Sequence, residues 1–569
     1  MMRRQINRGA FTLFWMLVCS CILPAQKSAD VDELKSYTSN LPFTMSVPKL
    51  PVIPGRTILV TDFGAVGDGH TMNTKAFASA IDACSKAGGG RVVIPPGEWL
   101  TGPIELKSNI DLHADRGALV VFSRKFEDYP MTKRGDEKSK RYRCTSPIYG
   151  YHLENIAITG GGVFNGSGEA WRPLKKSKTT ASQWKDFMKS GGVVDPSGEM
   201  WWPSKEAMNG EKYLADLMKR TKKPTPEESA GAREFLRPDM VVLVDCKKVL
   251  LDGPTFENSP TFCVHPIECE DLVIRNIHIR NEWWAQNGDA LDIGSCHNVL
   301  IYNCIINAGD DGICLKPGGF DKKRGWTAAC ENIAIADCIV YHAHGGFVIG
   351  SEGYGGVRNI SVRNMTFVGT DVGLRFKSLR GRGGLVEKVF IDGVFMRDIV
   401  DQAILFDTYY AGGSPESRAK EDLPRASAEP VDERTPRFDG MTIQNVVCNG
   451  ANRAMLVTGL PEMAVKHITL QNVTISADKG VFLSEADGIT LMNTRILSKS
   501  EPIIVLKDSR NITLDRVSGP GEGSVFLRVN GEISEGIQLV NTDVSSYKSG
   551  WELGKGVKQG IVTSAASQK

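Results

Sequence analysis

None of the chain's 13 cysteines forms a Cys-x-x-Cys pair, so a zinc-knuckle or dithiol redox reading has no footing. Charge of one sign is also missing: 68 Lys and Arg against 66 Asp and Glu leave a formal net charge of +2. So even a balance gives no electrostatic case for nucleic acid or a membrane surface as partner. Past the first 23 residues no stretch is apolar enough to span a bilayer. The cluster Gly88-Gly89-Gly90 is not a phosphate loop, because no Lys-Ser or Lys-Thr follows it.

What is present begins with an export signal. Arg3, Arg4 and Arg8 precede an apolar run over residues 11–23, then Pro24-Ala25-Gln26-Lys27. That pattern predicts a signal peptide over residues 1–26, cleaved after Ala25, and an exported protein, periplasmic or secreted. A retained membrane anchor is the alternative, and lipidation at Cys21 a lesser one, since Val18-Cys19-Ser20 fits a lipoprotein box only in part. Eleven cysteines remain beyond it, from Cys84 to Cys448. Several recur at one point of a repeated phrase, which suits buried small hydrophobes; a disulfide or two stays open, with no pairing assigned.

That phrase organises the chain. EDLVIRN (270–276) recurs as HNVLIYN (297–303), ENIAIAD (331–337), RNISVRN (358–364), EKVFIDG (387–393), DGMTIQN (439–445), KHITLQN (466–472), DGITLMN (487–493) and RNITLDR (510–516). Alternating Val, Ile and Thr argue strand, and spacings of 21 to 34 residues outside one longer gap argue a solenoid. The expected fold is all-β: a right-handed parallel β-helix over 58–548, each coil hiding its aliphatic face against the next. Asn276, Asn303, Asn364, Asn445, Asn472 and Asn493 are expected at tight corners, as an amide ladder. A helix over 73–87 should cap the open end. Residues 27–57 read as a linker, 549–569 as a tail, and 168–238 as a long inserted loop with one helix over 210–220. A second charged, proline-dotted loop occupies 412–437.

The chemistry gathers in Asn287-Gly288-Asp289-Ala290-Leu291-Asp292 and Gly309-Asp310-Asp311-Gly312. Asp289 and Asp310 are 21 residues apart, close to one coil, which would set them side by side about 5 Å apart. Carboxylates that close raise one another's pKa, so one can stay protonated as an acid while another stays ionised as a base. A lone Asp-Asp-Gly is more often a plain turn. His344 and the pair Arg375 and Lys377 strengthen the case: flanking Phe376 on a strand, both cations face one way and Phe376 inward. Two cations beside three carboxylates suit an anionic substrate. Asp292 is expected on the opposite face as a structural group. Lys316 and Glu352 are equally readable as substrate contacts or solvated surface, and His265, His278 and His342 as packing or surface residues.

In order, the motifs Asn287-Gly288-Asp289, Gly309-Asp310-Asp311, Ala343-His344-Gly345 and Arg375-Phe376-Lys377 resemble Asn-Thr-Asp, Gly-Asp-Asp, Gly-His-Gly and Arg-Ile-Lys of the polygalacturonases, glycoside hydrolase family 28. The resemblance runs from Asp62 to about residue 520, and four ordered motifs are specific. It implies inverting hydrolysis of α-1,4-galacturonosidic linkages in pectin, no metal or organic cofactor, and a pectic oligo- or polysaccharide as partner. It makes Asp310 the general acid, Asp289 and Asp311 the water-activating groups, His344 a support for the acid and the substrate, and Arg375 and Lys377 the carboxylate binders. A tyrosine is implied downstream, Tyr409 or Tyr410, with Tyr410 preferred. Gly288, Ala343 and Phe376 depart from the pattern and spare the reactive side chains. An inverting pair predicts Asp310 roughly 6.5–9.5 Å from Asp289 or Asp311.

The inserted segment suggests exo action by walling off one end of the cleft. Rhamnogalacturonan is the alternative substrate. A calcium-dependent pectate lyase and a non-enzymatic glycan-binding fibre are the rival classes. Nothing in the sequence points to a particular oligomeric state.

Overall fold

The computed structural model describes residues 30–133, 141–318, 329–410 and 412–565. The expected signal peptide and Cys21 lie outside the described residues. Strand after strand pairs in parallel with the same segment of the next coil, building one sheet of 24 strands and another of 14. The repeated phrase sets the register: Glu270 pairs with His297, His297 with Glu331, Glu331 with Arg358, and Arg358 with Glu387. This is a parallel β-helix. Its interior is one continuous apolar column from Val60 to Val562.

The corner asparagines take the left-handed conformation that Asn tolerates well, with φ of 56° at Asn276 and 52° at Asn303. Asn303 Nδ2 donates to Asn276 Oδ1 at 2.6 Å, and Asn493 Nδ2 to Asn472 Oδ1 at 2.7 Å. Asp252 and Asp337 take the acceptor place for Asn276 and Asn364. The ladder thus admits Asp wherever only an acceptor is needed.

Helix Thr74–Lys86 closes the first coil, burying Phe77, Ala80, Ile81 and Cys84. The Arg56 guanidinium donates to the carbonyls of Ala87 and Gly89 beyond its end. All eleven cysteines from Cys84 to Cys448 are buried and free of disulfides.

Three segments depart from expectation. The linker is a packed clasp: residues 30–38 are helical, Leu34 packs on Val273 and Leu300, and Asp30 and Glu33 pair with Arg275. The tail carries the last rungs, Tyr547–Leu553 and Val562–Ala565, so coiling runs on past residue 548. The insertion is a folded subdomain. It holds helices Ala181–Lys189 and Lys205–Arg220, a short helix Pro226–Ser229, and a three-stranded sheet. Gly210, expected at a helix start, lies inside the helix, where a Cβ would strike Phe235. The 412–437 loop is strapped down, with Glu416 bonded to Arg453, Gln402 and Lys479. Among the described residues no helix is long and apolar enough to cross a membrane.

Five neighbouring strands of the 14-stranded sheet set up the cleft: Leu291–Ile293, Asp311–Leu315, Gly345–Ile349, Leu374–Lys377 and Gln402–Asp407. Beneath them Phe376 stacks on Phe406 with centroids 4.4 Å apart. Phe376→Ala should therefore cost about 3–5 kcal/mol in chemical denaturation, and a loss under about 1 kcal/mol would contradict a packed column at this rung.

Candidate active site

Asp289 and Asp310–Asp311 sit where the chain bends into adjacent strands. One carboxylate oxygen from each of Asp289, Asp310 and Asp311 lies within 4.8 Å of one from each of the others. This is closer than the 6.5–9.5 Å expected for an inverting pair. The register also differs from the 21-residue estimate. Leu291 pairs with Ile313, which puts Asp289 level with Asp311, while Asp310 is one residue off and level with His344.

Cations make the crowding tolerable. Lys377 Nζ reaches Asp311 Oδ2 at 2.5 Å, and Arg375 Nη1 reaches Asp311 Oδ1 at 3.3 Å. Lys316 Nζ bridges Asp289 Oδ2 at 2.8 Å and Asp292 Oδ1 at 2.7 Å, over the Phe262 ring. Asp292 therefore does not belong to a separate face. Asp289 lies in the bend before the strand, where alternation does not apply, and both carboxylates reach one ammonium. Lys316 is a half-buried member of the site. Three acids at this spacing could hold a cation, but the ammonium and guanidinium groups already supply the countercharge.

His344 Nδ1 lies 3.0 Å from Asp310 Oδ1, and its Nε2 lies 3.6 Å from Asp371 Oδ2. Tyr410 stands at the cation pair, its ring centre 5.0 Å from Lys377 Nζ and 5.9 Å from Arg375 Cζ. Tyr409 turns away, between Arg380 and Arg418. Both tyrosines border a cavity of about 400 Å³ with Arg380 and Arg418. Glu352 pairs with Arg382, whose guanidinium also lies 6.0 Å from the Tyr410 ring centre. His265 is bonded to Asp239 at 2.9 Å, behind the site.

The expected split in proton affinity exists, but its members are exchanged. Burial pushes Asp289 well above the ordinary carboxylate range, and Lys316 only partly offsets it. At Asp310 burial also acts upward, yet the His344 hydrogen bond and the charges of His344, Lys377 and Lys316 outweigh it and hold the group low. At Asp311 Lys377 and Arg375 overcome burial in the same way. In the free site Asp289 therefore binds a proton more readily than Asp310 or Asp311.

Known proteins match this chain across the site. The model of glycosyl hydrolases family 28 matches residues 175–424, a range that holds all seven expected site residues. A rhamnogalacturonase A/epimerase, pectate lyase-like model matches residues 57–127, ahead of the site. An exopolygalacturonase from Thermotoga maritima superposes with a TM-score of 0.58 at 28% identity, covering 89% of this chain and 95% of that one. A probable polygalacturonase of Vitis vinifera is 26% identical over 73% of each chain. An exo-poly-alpha-D-galacturonosidase of Dickeya chrysanthemi is 26% identical over 83% of this chain and 75% of its own. The chain is thus similar to glycosyl hydrolases family 28 through the site and to polygalacturonases over most of its length.

It is thus a glycoside hydrolase of polygalacturonase type. Family 28 motifs made its acids and cations legible, but sequence reasoning missed Asp371, which lies in no motif. It left Lys316 undecided, since the two acids that need the ammonium lie 27 and 24 residues before it. Two cations on the reactive acids signalled that a third acid needed one too.

Lys316→Met should lower kcat/KM by about a hundredfold or more and move the acidic limb of the pH–rate profile upward, because Asp289 loses the charge that favours its ionised form. Asp310 and Asp311 bind protons more weakly folded than unfolded. Their stabilisation is complete above the ordinary carboxylate range and lost as pH falls through their lowered values. Lys377→Met removes the largest charge holding Asp311 low, so acid unfolding followed by circular dichroism should begin at higher pH.

Proposed function

We propose that this enzyme hydrolyses α-1,4-galacturonosidic linkages of polygalacturonate, acting from a chain end, with Asp310 as general acid and Asp289 and Asp311 holding the attacking water. The observation that carries the reading is the acid trio set against Arg375 and Lys377: reactive carboxylates beside a fixed pair of cations suit a substrate that brings its own carboxylate. With oxygens no more than 4.8 Å apart, one water can bond to two of the acids at once. Both Asp311 oxygens already face cations, which blunts it as a covalent nucleophile and favours single displacement.

The low proton affinity of Asp310 in the free site fits this role once substrate is considered. Lys377 is one of the charges holding Asp310 low. A uronate carboxylate on Arg375 and Lys377 neutralises them and adds negative charge nearby, so substrate binding itself raises Asp310 towards its acid form. His344 Nδ1, 3.0 Å away, is placed to pass the proton. A methyl-esterified sugar at that position lacks the charge and should turn over more slowly, not merely bind more weakly.

Chain-end action is supported by the folded insertion beside the acids and by the resemblance to exo-acting relatives. The deciding experiment is product analysis of polygalacturonate digests. Monomeric galacturonate from the outset, unaffected by chelator and abolished in Asp310→Asn, is expected. Proton NMR of the first product should show the β-anomer. Early α-anomer would overturn single displacement, unsaturated products would indicate elimination, and cleavage of rhamnogalacturonan alone would move the substrate assignment there.

A further inference from the structure

The segment 281–288 leads into Asp289, and it is locked from several sides. Ala285 N donates to Glu282 O at 2.8 Å, Gly288 N to Ala285 O at 2.9 Å, and Asn281 Nδ2 to Gly288 O at 3.2 Å. Arg237, from the end of the insertion, donates to Gln286 O and Asn287 Oδ1, each at 2.8 Å. The Glu282 and Ala285 carbonyls press so closely on Gly309, the residue before Asp310, that a Cβ there would strike both. Whatever this turn carries is fixed relative to Asp289 and Asp310.

It carries an unusual side chain. Trp283 is 44% exposed, although its neighbour Trp284 packs against the buried insertion residues Leu174, Trp184 and Trp201. Trp284 stands edge-on to Trp283, with centroids 5.9 Å apart at 86°, and so fixes its plane. From the insertion, Lys178 Nζ comes to 5.0 Å from the Trp283 ring centre. A rigidly held indole left in water is poor use of a large apolar surface, and a long cation beside it supplies charge to whatever lies there. An acidic pyranose has both complements: a C–H face for the indole and a carboxylate for the ammonium.

Position along the β-helix gives this pair its place. Trp283 belongs to the coil of Asp289, Asp310 to the next, and Arg375 with Lys377 two coils further. Asp310 thus stands on a rung between the turn that carries Trp283 and the strand of Arg375 and Lys377, whose side chains reach back to Asp311. We propose that Trp283 and Lys178 bind the uronate on the far side of the cleaved bond from Arg375 and Lys377. This rests on the galacturonan reading above. The insertion thereby acquires a specific role, since it brings Lys178 to the turn and holds the turn itself.

The test is calorimetric titration of Asp310→Asn enzyme with tetragalacturonate, compared with the same enzyme carrying a second change. Trp283→Ala should weaken binding about tenfold, and Trp283→Phe should keep most of it. Lys178→Met should weaken it several-fold and flatten its salt dependence, whereas Lys178→Arg should restore both. Unchanged affinity in Trp283→Ala and Lys178→Met, beside clear binding by the parent, would overturn this subsite and leave the galacturonan reading standing. Absence of oligogalacturonate binding by the folded parent would overturn both.

Discussion

Parallel hydrogen bonding between successive coils is the constraint on which the rest depends. It fixes the rise at about 4.8 Å per rung and lets a residue stand beside its counterpart one coil away. Residues remote in sequence, such as Asp311 and Gly345 or Val348 and Arg375, become direct neighbours without any long-range folding decision. Each rung needs only an inward aliphatic and a corner that can turn. The site therefore costs the fold little: reactive groups occupy outward or bend positions, while Ile313, Phe347 and Phe376 keep the column filled beneath them.

Proximity on that lattice has an electrostatic cost, and the site is arranged around it. Three acids within 4.8 Å could not stay buried and ionised without partners. Lys377 and Arg375 serve Asp311, His344 serves Asp310, and Lys316 is shared by Asp289 and Asp292. Because Lys316 serves two carboxylates in a dry setting, Asp289 is the one whose ionisation is least supported. The asymmetry between Asp289 and its neighbours comes from unequal partnering rather than from the acids themselves.

The sequence was most legible where one local rule decides the outcome. Alternation identified the rungs, and the recurrent Asn marked the corners because its side chain tolerates left-handed backbone and reaches the next rung. It was least legible where the answer depends on path length or on a distant partner. The 21 residues from Asp289 to Asp310 mark one coil, but the pairing of Leu291 with Ile313 shifts the match to Asp311. Strand parity put Asp292 on another face, and the bend at Asp289 annulled that parity. The segment 168–238 read as a loop although it is rich in Trp as well as Lys and Glu, because tryptophans spread without a period do not announce that they pack into a core.

That core explains why an insertion of this size sits beside the acids. A coil's outer surface offers no pocket of its own, and a side of a solenoid is open at both ends. Closure must be added, and it must be stiff to be useful. The insertion buries Trp184 and Trp201 against Trp284, anchors 286–287 through Arg237, and so ties its own stability to the geometry of the turn before Asp289. On the other side of the site the 412–437 strap is held by ion pairs, Arg425 with Glu485 and Glu416 with Arg453, more than by apolar packing. One flank is thus fixed by a small hydrophobic core and the other by partly buried ion pairs.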